Sequence, residues 1–238
     1  MAERLRPPDR SQGRAEDQAP TDVTRLVIGI LGGTGAEGRG LARRFALAGH
    51  SVIIGSRSQE RADAAASGLG AELGVRGMGN AAAARAADIV IVAVPWEGHG
   101  EVLASLAAEL SGKIVVDCVN PIGFDNHGAF ALPVAEGSAA EQAAALLPGS
   151  RVVGAFHHVS SVPLLDPDVT EVDMDVLVLG DDRAATDLVQ ALAARIPGMR
   201  GVYAGRLRNC GQVEALTANL VAINRRYKAH AGVRITDV

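Results

Sequence analysis

The chain has 238 residues, and 48% of them are hydrophobic, enough for one large α/β domain with a sizeable core. Aromatic residues make up only 3%, so that core has to be built from Ala, Val, Leu and Ile. A net charge of −4 and a pI of about 5.9 argue against a general nucleic-acid binder, and two distant cysteines, Cys118 and Cys210, argue against a disulfide framework or a zinc site. No apolar run approaches the roughly 18 residues that span a bilayer. The first residues carry charges where a signal peptide needs an apolar centre. The expected location is therefore the cytoplasm, a reducing compartment, with no membrane or nucleic-acid partner.

Residues 1–24 contain Pro7, Pro8 and Pro20, mixed charges and few large apolar side chains. Such a segment buries too little surface to offset its ordering entropy, and a disordered tail is expected. Residues 25–205 read as a dinucleotide-binding domain, and residues 206–238 as a helical extension packed on it.

The domain opens with an apolar run, Leu26–Leu31, that ends in the cluster Gly32-Gly33-Thr34-Gly35-Ala36-Glu37-Gly38. A helical pattern follows (Leu41, Phe45, Ala48) and stops at Gly49-His50. A second apolar run, Val52–Gly55, ends at Ser56-Arg57. This is strand, Gly-rich turn, helix, strand. Gly33, Gly35 and Gly38 satisfy G-x-G-x-x-G: the first permits the tight turn, the second lets backbone approach a pyrophosphate, and the third lets helix and strand pack closely. An NAD site usually has a carboxylate at the end of the second strand. Here Ser56, Arg57 and, one turn later, Arg61 stand there. A hydroxyl and two guanidiniums suit a 2′-phosphate, which a carboxylate would repel. NADP is therefore preferred to the plainer reading, in which both arginines pair with Glu60 or Asp63.

Further along, Gln59–Leu69 reads as an Ala-rich helix and Val75–Met78 as a short strand. Asn80 is a candidate cap for a helix over Ala81–Ala87. Ile89–Val94 is a buried strand stopped by Pro95, with Trp96 beyond it. Glu101–Leu110 is helical and Ile114–Asp117 is a strand. Cys118–Phe124 and Asp125–Glu136 read as loops. Ser138–Leu147 is a helix, and Arg151–Ala155 is a strand leading to Phe156-His157-His158. Met174–Leu179 is a strand, Arg183–Ile196 a helix, and Gly201–Ala204 a short extended piece. Asn209–Ala231 shows Val213, Leu216, Leu220 and Ile223 at helical spacing. Its apolar face has to pack on the domain or on a second subunit, the second case being a homodimer through this helix. Strands alternating with helices imply a doubly wound parallel sheet.

No nucleophile–base set, H-E-x-x-H motif or P-loop lysine is present, and no metal is expected. His157 and His158 are adjacent, so on an extended chain they point to opposite faces and do not readily share one ligand. Cys118 reads as a small buried residue.

The segments ILGGTGAEGRGLARR, IIGSRSQERA, IVAVPWEGH, GAFHHV, LGDD and VEALTANLVAINRRY resemble those of the NADPH-dependent coenzyme F420 reductases (F420H2:NADP oxidoreductases), across nearly all of Leu26–Val238. The resemblance implies a Rossmann-type NADP-binding fold with a small C-terminal helical extension. It implies hydride transfer between NADP(H) and the deazaflavin coenzyme F420 as co-substrate. By the same resemblance Thr34, Gly35, Ala36 and Glu37 lie along the pyrophosphate, and Ser56, Arg57 and Arg61 hold the 2′-phosphate. Val94, Pro95 and Trp96 border the nicotinamide, Asn120 and Ile122 occupy the next loop, and His157 lies near the deazaflavin. His158 and Ser160 depart from the commoner Thr and Pro. Direct hydride transfer between two rings fits the missing acid–base set, because Trp96 and His157 then have rings to position and no chemistry of their own. Two other readings remain: an NADPH-dependent reductase of another small acceptor (flavin, imine, carbonyl or metal), and a non-enzymatic NADP(H) sensor.

Overall fold

In the computed structural model, residues 21–238 are described. Most of the expected tail, residues 1–20, lies outside them. At its end Val23 is buried, and Leu26 N–H donates to the Val23 carbonyl, so order begins before the first strand.

One sheet of eight strands organises the chain: β1 (Val27–Leu31), β2 (Ser51–Ser56), β3 (Arg76–Gly79), β4 (Ile89–Val92), β5 (Ile114–Asp117), β8 (Arg151–Gly154), β9 (Met174–Gly180) and β10 (Met199–Gly205). Their spatial order is β10-β9-β8-β5-β4-β1-β2-β3. The six strands from β3 to β8 are parallel, which is the doubly wound arrangement expected from the alternation. The sheet is not parallel throughout: β9 runs antiparallel to β8, and β10 follows β9. The apolar runs of β9 and β10 signal burial, and burial carries no information about direction.

The helices are α1 (Ala36–Leu47), α2 (Gln59–Ser67), α3 (Asn80–Ala86), α4 (Trp96–Ser105), α5 (Ala107–Leu110), α6 (Ala139–Leu146), α7 (Ser161–Leu165), α8 (Arg183–Ala193) and α9 (Cys210–Tyr227). Alternate strand residues feed two cores. Ile28, Ile30, Ile54, Ile91 and Val116 meet Leu41 and Phe45 of α1 and Val189 of α8 on one face. Leu31, Ile53, Val90, Val92 and Val115 meet Ala83 of α3, Leu103 of α4, Ala139 and Ala143 of α6 and Val213 of α9 on the other. Small helix residues let these layers approach closely, which is how a core with few aromatics is filled.

Three local expectations change. Gly79, not Asn80, is the N-cap of α3; Asn80 is already helical, and its Oδ1 is buried without a partner. The helix expected from Glu101 begins at Trp96, directly after Pro95, and breaks at Leu106 into α4 and α5. The segment read as loop after β5 contains a hairpin, β6 (Ile122–Asp125) with β7 (Gly128–Ala131). Asp125 Oδ1 accepts from the N–H groups of His127 and Gly128 and sets its turn, a side-chain cue that outweighed the weak apolar alternation.

Candidate functional site

The Gly-rich turn leaves β1 and enters α1. Gly32 sits at φ +69°, in the left-handed region that glycine adopts without strain. A Cβ on Gly38 would come within 2.6 Å of Gly33 Cα, and one on Gly33 within 2.8 Å of the Ile30 carbonyl oxygen, so both are needed for packing inside the motif. A Cβ on Gly35 meets nothing closer than 3.7 Å. Its surroundings are open and it is exposed, which leaves room for a ligand at the α1 N-terminus. That terminus has no side-chain cap, so its N–H groups and dipole are available to an anion. Thr34 is half-buried, Ala36 exposed and Glu37 half-buried along the same turn.

Glu37 is a surprising neighbour for a pyrophosphate. Its Oε1 is buried with no partner among the described residues, and burial pushes the carboxyl up to about 8. It is therefore mainly neutral at pH 7 and adds no negative charge there.

β2 brings Ser56, buried, to the same edge, and Gly33 N–H donates to the Gly55 carbonyl at 3.2 Å. Ser58 caps α2 by accepting from Arg61 N–H. Arg57 and Arg61 are both exposed, and among the described residues neither pairs with Glu60 or Asp63. Asp63 instead accepts from Gln59 Nε2 at 2.9 Å. Among the described residues both guanidiniums are without an ion-pair partner, at the end of the strand that carries Ser56.

The second half of the site is a cavity of about 390 Å³ at the C-terminal ends of β4, β5 and β8. Val94, Pro95 and Trp96 form one wall, Cys118, Val119 and Asn120 the floor, and Phe156 to Ser161 another side. Thr217, Leu220, Val221 and Asn224 of α9 cover it, and Glu37 reaches its edge. Both halves therefore lie along the carboxyl edge, near the point where strand order reverses between β1 and β4.

Phe156 shapes this cavity by a left-handed backbone, φ +65°, rare for a bulky residue. Its ring packs edge-on against Phe45 at 6.0 Å. The turn sends the next two histidines different ways. His158 Nε2 meets the Asp175 carbonyl at 2.8 Å, a backbone contact deep in the core. His157 has both ring nitrogens buried without hydrogen-bond partners among the described residues, and its Nε2 is 3.9 Å from Glu214 Oε1. Burial drives it down to about 4, so it is neutral at pH 7. Its carbonyl accepts from Asn120 Nδ2 at 2.7 Å and Thr217 Oγ1 at 2.9 Å. Asn120 thus spends its donor holding the His157 backbone. Ile122 sits in β6, paired with Ala131, away from the cavity lining.

Sequence reasoning missed three buried polar residues behind the cavity. His99 and Asp117 are fully buried and 2.6 Å apart. Glu214 accepts from the Ala139 and Ala140 N–H groups at 2.9 and 3.2 Å, and burial raises it to about 7. The available signal was Asp117, a carboxylate closing an apolar strand. Cys118 is raised by burial, then by Glu37 and Asp117, and stays an inert thiol as expected.

Fold and site together define the class: a Rossmann-type α/β protein with a dinucleotide turn beside a second, ring-sized cavity. The family model described as NADP oxidoreductase, coenzyme F420-dependent, matches residues 27–121. An F420-dependent NADP reductase of Methanothermobacter thermautotrophicus is 40% identical over 227 residues, covering 91% of this chain and 97% of that protein. That of Methanocaldococcus jannaschii is 38% identical over 224 residues, covering 90% and 99%. The crystal structure of a candidate F420-dependent NADP-reductase from Arthrobacter sp. FB24 superposes with a TM-score of 0.75 at 27% identity, covering 89% of this chain and 99% of that one. The chain belongs to the F420-dependent NADP reductase family, a family of oxidoreductases.

Proposed function

We infer that this protein transfers a hydride between NADP(H) and coenzyme F420, with the dinucleotide on the Gly33–Gly38 turn and the deazaflavin in the cavity beside Trp96. The observation that carries this is the shared edge: the turn's Glu37 and the β4 wall of Val94, Pro95 and Trp96 line one cavity. A dinucleotide laid along that edge from Arg57 ends where the cavity begins. Bound together, the nicotinamide and the deazaflavin would supply the hydride donor and acceptor. The chain's part is to bind both rings, orient them and exclude water. Val94, Phe156 and Val159 are buried apolar walls suited to that exclusion. The deciding experiment is NADPH oxidation by the purified protein with F420 beside FMN, FAD and small carbonyls. Tight NADPH binding with turnover of a carbonyl or FMN and none of F420 would sink this reading.

We assign the 2′-phosphate to Ser56, Arg57 and Arg61. Arg57→Ala should weaken NADPH binding by about 1.5–3 kcal/mol, the worth of a hydrogen bond to a charged group. That is roughly tenfold to a hundredfold in Kd. NADH binding should hardly change, and calorimetry with both nucleotides checks it; equal losses would remove the arginine from the 2′-phosphate.

A homodimer through α9 and the hairpin is also proposed. Ile223 and Tyr227 on α9 are exposed, and so is Phe130 of β7, the hairpin strand against which α9 packs. Sedimentation should give a dimer, and Tyr227→Glu with Phe130→Glu a monomer. A wild-type monomer at micromolar concentration rejects it. No helix among the described residues is long and apolar enough to cross a membrane. Cys118 and Cys210 are free and buried, which supports placing the protein in the reducing cytoplasm.

A further inference from the structure

Behind Trp96 lies a pair of charged groups that the dinucleotide turn does not use. His99 follows Trp96 by three residues in α4, so the two side chains share a helix face. Their ring centroids are 5.6 Å apart and the planes are tilted by 32°. His99 Nε2 donates to Asp117 Oδ2 at 2.6 Å, with both side chains wholly buried. Asp117 Oδ1 accepts from Val119 N–H at 3.0 Å, so both carboxylate oxygens act as acceptors. Gln142 settles the other ring nitrogen. Its Nε2 donates to Glu136 Oε2 at 3.3 Å, which turns its Oε1 toward His99 Nδ1 at 2.9 Å. With the amide so oriented that oxygen accepts, which calls for a proton on Nδ1 as well. A ring donating from both nitrogens is an imidazolium.

Burial works against this charge. The hydrogen bond and charge of Asp117 from β5, then Gln142 of α6 and Glu214 of α9, outweigh it and raise His99 from its ordinary value. Glu214 is itself engaged by two backbone N–H groups of α6. Glu136 acts on His99 only through the Gln142 amide.

We propose that His99 is a positioning residue of the hydride-transfer site: an imidazolium locked by Asp117 and Gln142, whose charge holds the Trp96 indole at the cavity wall. A cation within about 6 Å of an indole is drawn to the ring, and more strongly away from water. The role rests on the NADPH–F420 reading above, in which Trp96 borders both reacting rings. Hydride transfer requires near-contact alignment, so a loosened Trp96 costs turnover before it costs binding. His99 lines no part of the cavity and acts through Trp96 alone.

Trp96 is the chain's single tryptophan, so intrinsic fluorescence reports this contact directly. A protonated imidazole quenches a neighbouring indole. Wild-type emission should be low at neutral pH and brighten only as pH rises past the usual histidine range. Nitrogen NMR at neutral pH should show both His99 ring nitrogens protonated. His99→Gln should be bright, independent of pH, and faster in anisotropy decay. Its kcat should fall about tenfold or more while the NADPH Kd stays within about twofold, the split expected when only the reacting geometry is lost. Asp117→Asn keeps the ring and removes its carboxylate, so brightening should move to lower pH. A neutral His99 by NMR, or a His99→Gln protein with wild-type anisotropy and turnover, overturns the proposal. Wild-type protein that passes no hydride to F420 but gives the expected fluorescence and NMR defeats the F420 reading instead and leaves the His99–Trp96 lock standing.

Discussion

Trp96→Ala is expected to cut NADPH–F420 turnover on the order of a hundredfold, since misplacing reacting groups by about 1 Å costs that much. NADPH affinity should change far less. The difference follows from where the residue sits. Pro95 caps α4 and fixes the chain at the end of β4, so the backbone at position 96 is set whatever the side chain. The indole is half-buried and packs against the β4–α6 core on one side, with its other side on the cavity. Alanine leaves the helix and the pyrophosphate turn intact and removes the wall that the reacting rings would rest against. The nucleotide would keep the contacts proposed for it at Gly35, Ser56 and Arg57, none of which lines the cavity beside Trp96. Single-turnover kinetics with saturating NADPH read the hydride step, and a separate titration reads affinity. Parallel losses in both would show that Trp96 serves nucleotide binding and does not align the rings.

The half of the site that was legible in the sequence is the half encoded locally. Within 36 residues, Leu26 to Arg61, a strand, three glycines, a helix and a second strand are each marked by their own side chains. The structure puts Gly33, Gly38, Ser56 and Arg57 along one edge as that pattern demands. Trp96 was legible too, because Pro95 marks the end of a buried strand and a strand's carboxyl end faces ligand. The buried polar groups were not legible. His99 and Asp117 are 18 residues apart, on a helix and a strand, and only the fold brings them together. His99 also lies ahead of the helix expected from Glu101, because Gly98 and Gly100 dilute the helical signal of Trp96–Ser105. The reversal at β9 was hidden for another reason. Direction depends on the connection after β8, where Arg44 of α1 donates to the carbonyls of Pro163 and Val169 and ties α7 to the other end of the chain. An arginine in an amphipathic helix reads as solvated; here it is buried and holds a loop in place.

Glu37→Gln is expected to stabilise the ligand-free protein at pH 7 by an amount on the order of 2 kcal/mol, and to have no such effect near pH 4.5. The carboxyl titrates near 4.5 when exposed and at about 8 in the fold, because burial disfavours its anion and no cation compensates. The favourable dipole of α1 is too weak to reverse this. A folded value raised above the unfolded one means the folded chain binds the extra proton. Its contribution is fully present below pH 4.5 and declines as pH rises, until both states are ionised above about 8. Each unit of that gap is worth about 1.4 kcal/mol, and the interval up to pH 7 is discounted because the side chain is only half-buried. Glutamine keeps the shape and cannot ionise, so any cost of burying its amide is the same at every pH. Urea midpoints of both proteins at pH 4.5, 7 and 8.5 isolate the titration from that constant. The gap between them should open with pH and level off beyond about 8. NADPH sharpens the same effect: the pyrophosphate's negative charge favours the neutral carboxyl further, so binding should take up protons and weaken as Glu37 ionises. Glu37→Gln should bind NADPH with little change across the same range. Identical pH dependence in the two proteins, for urea midpoint and for Kd alike, would show that Glu37 keeps its charge in water and plays no part at the turn.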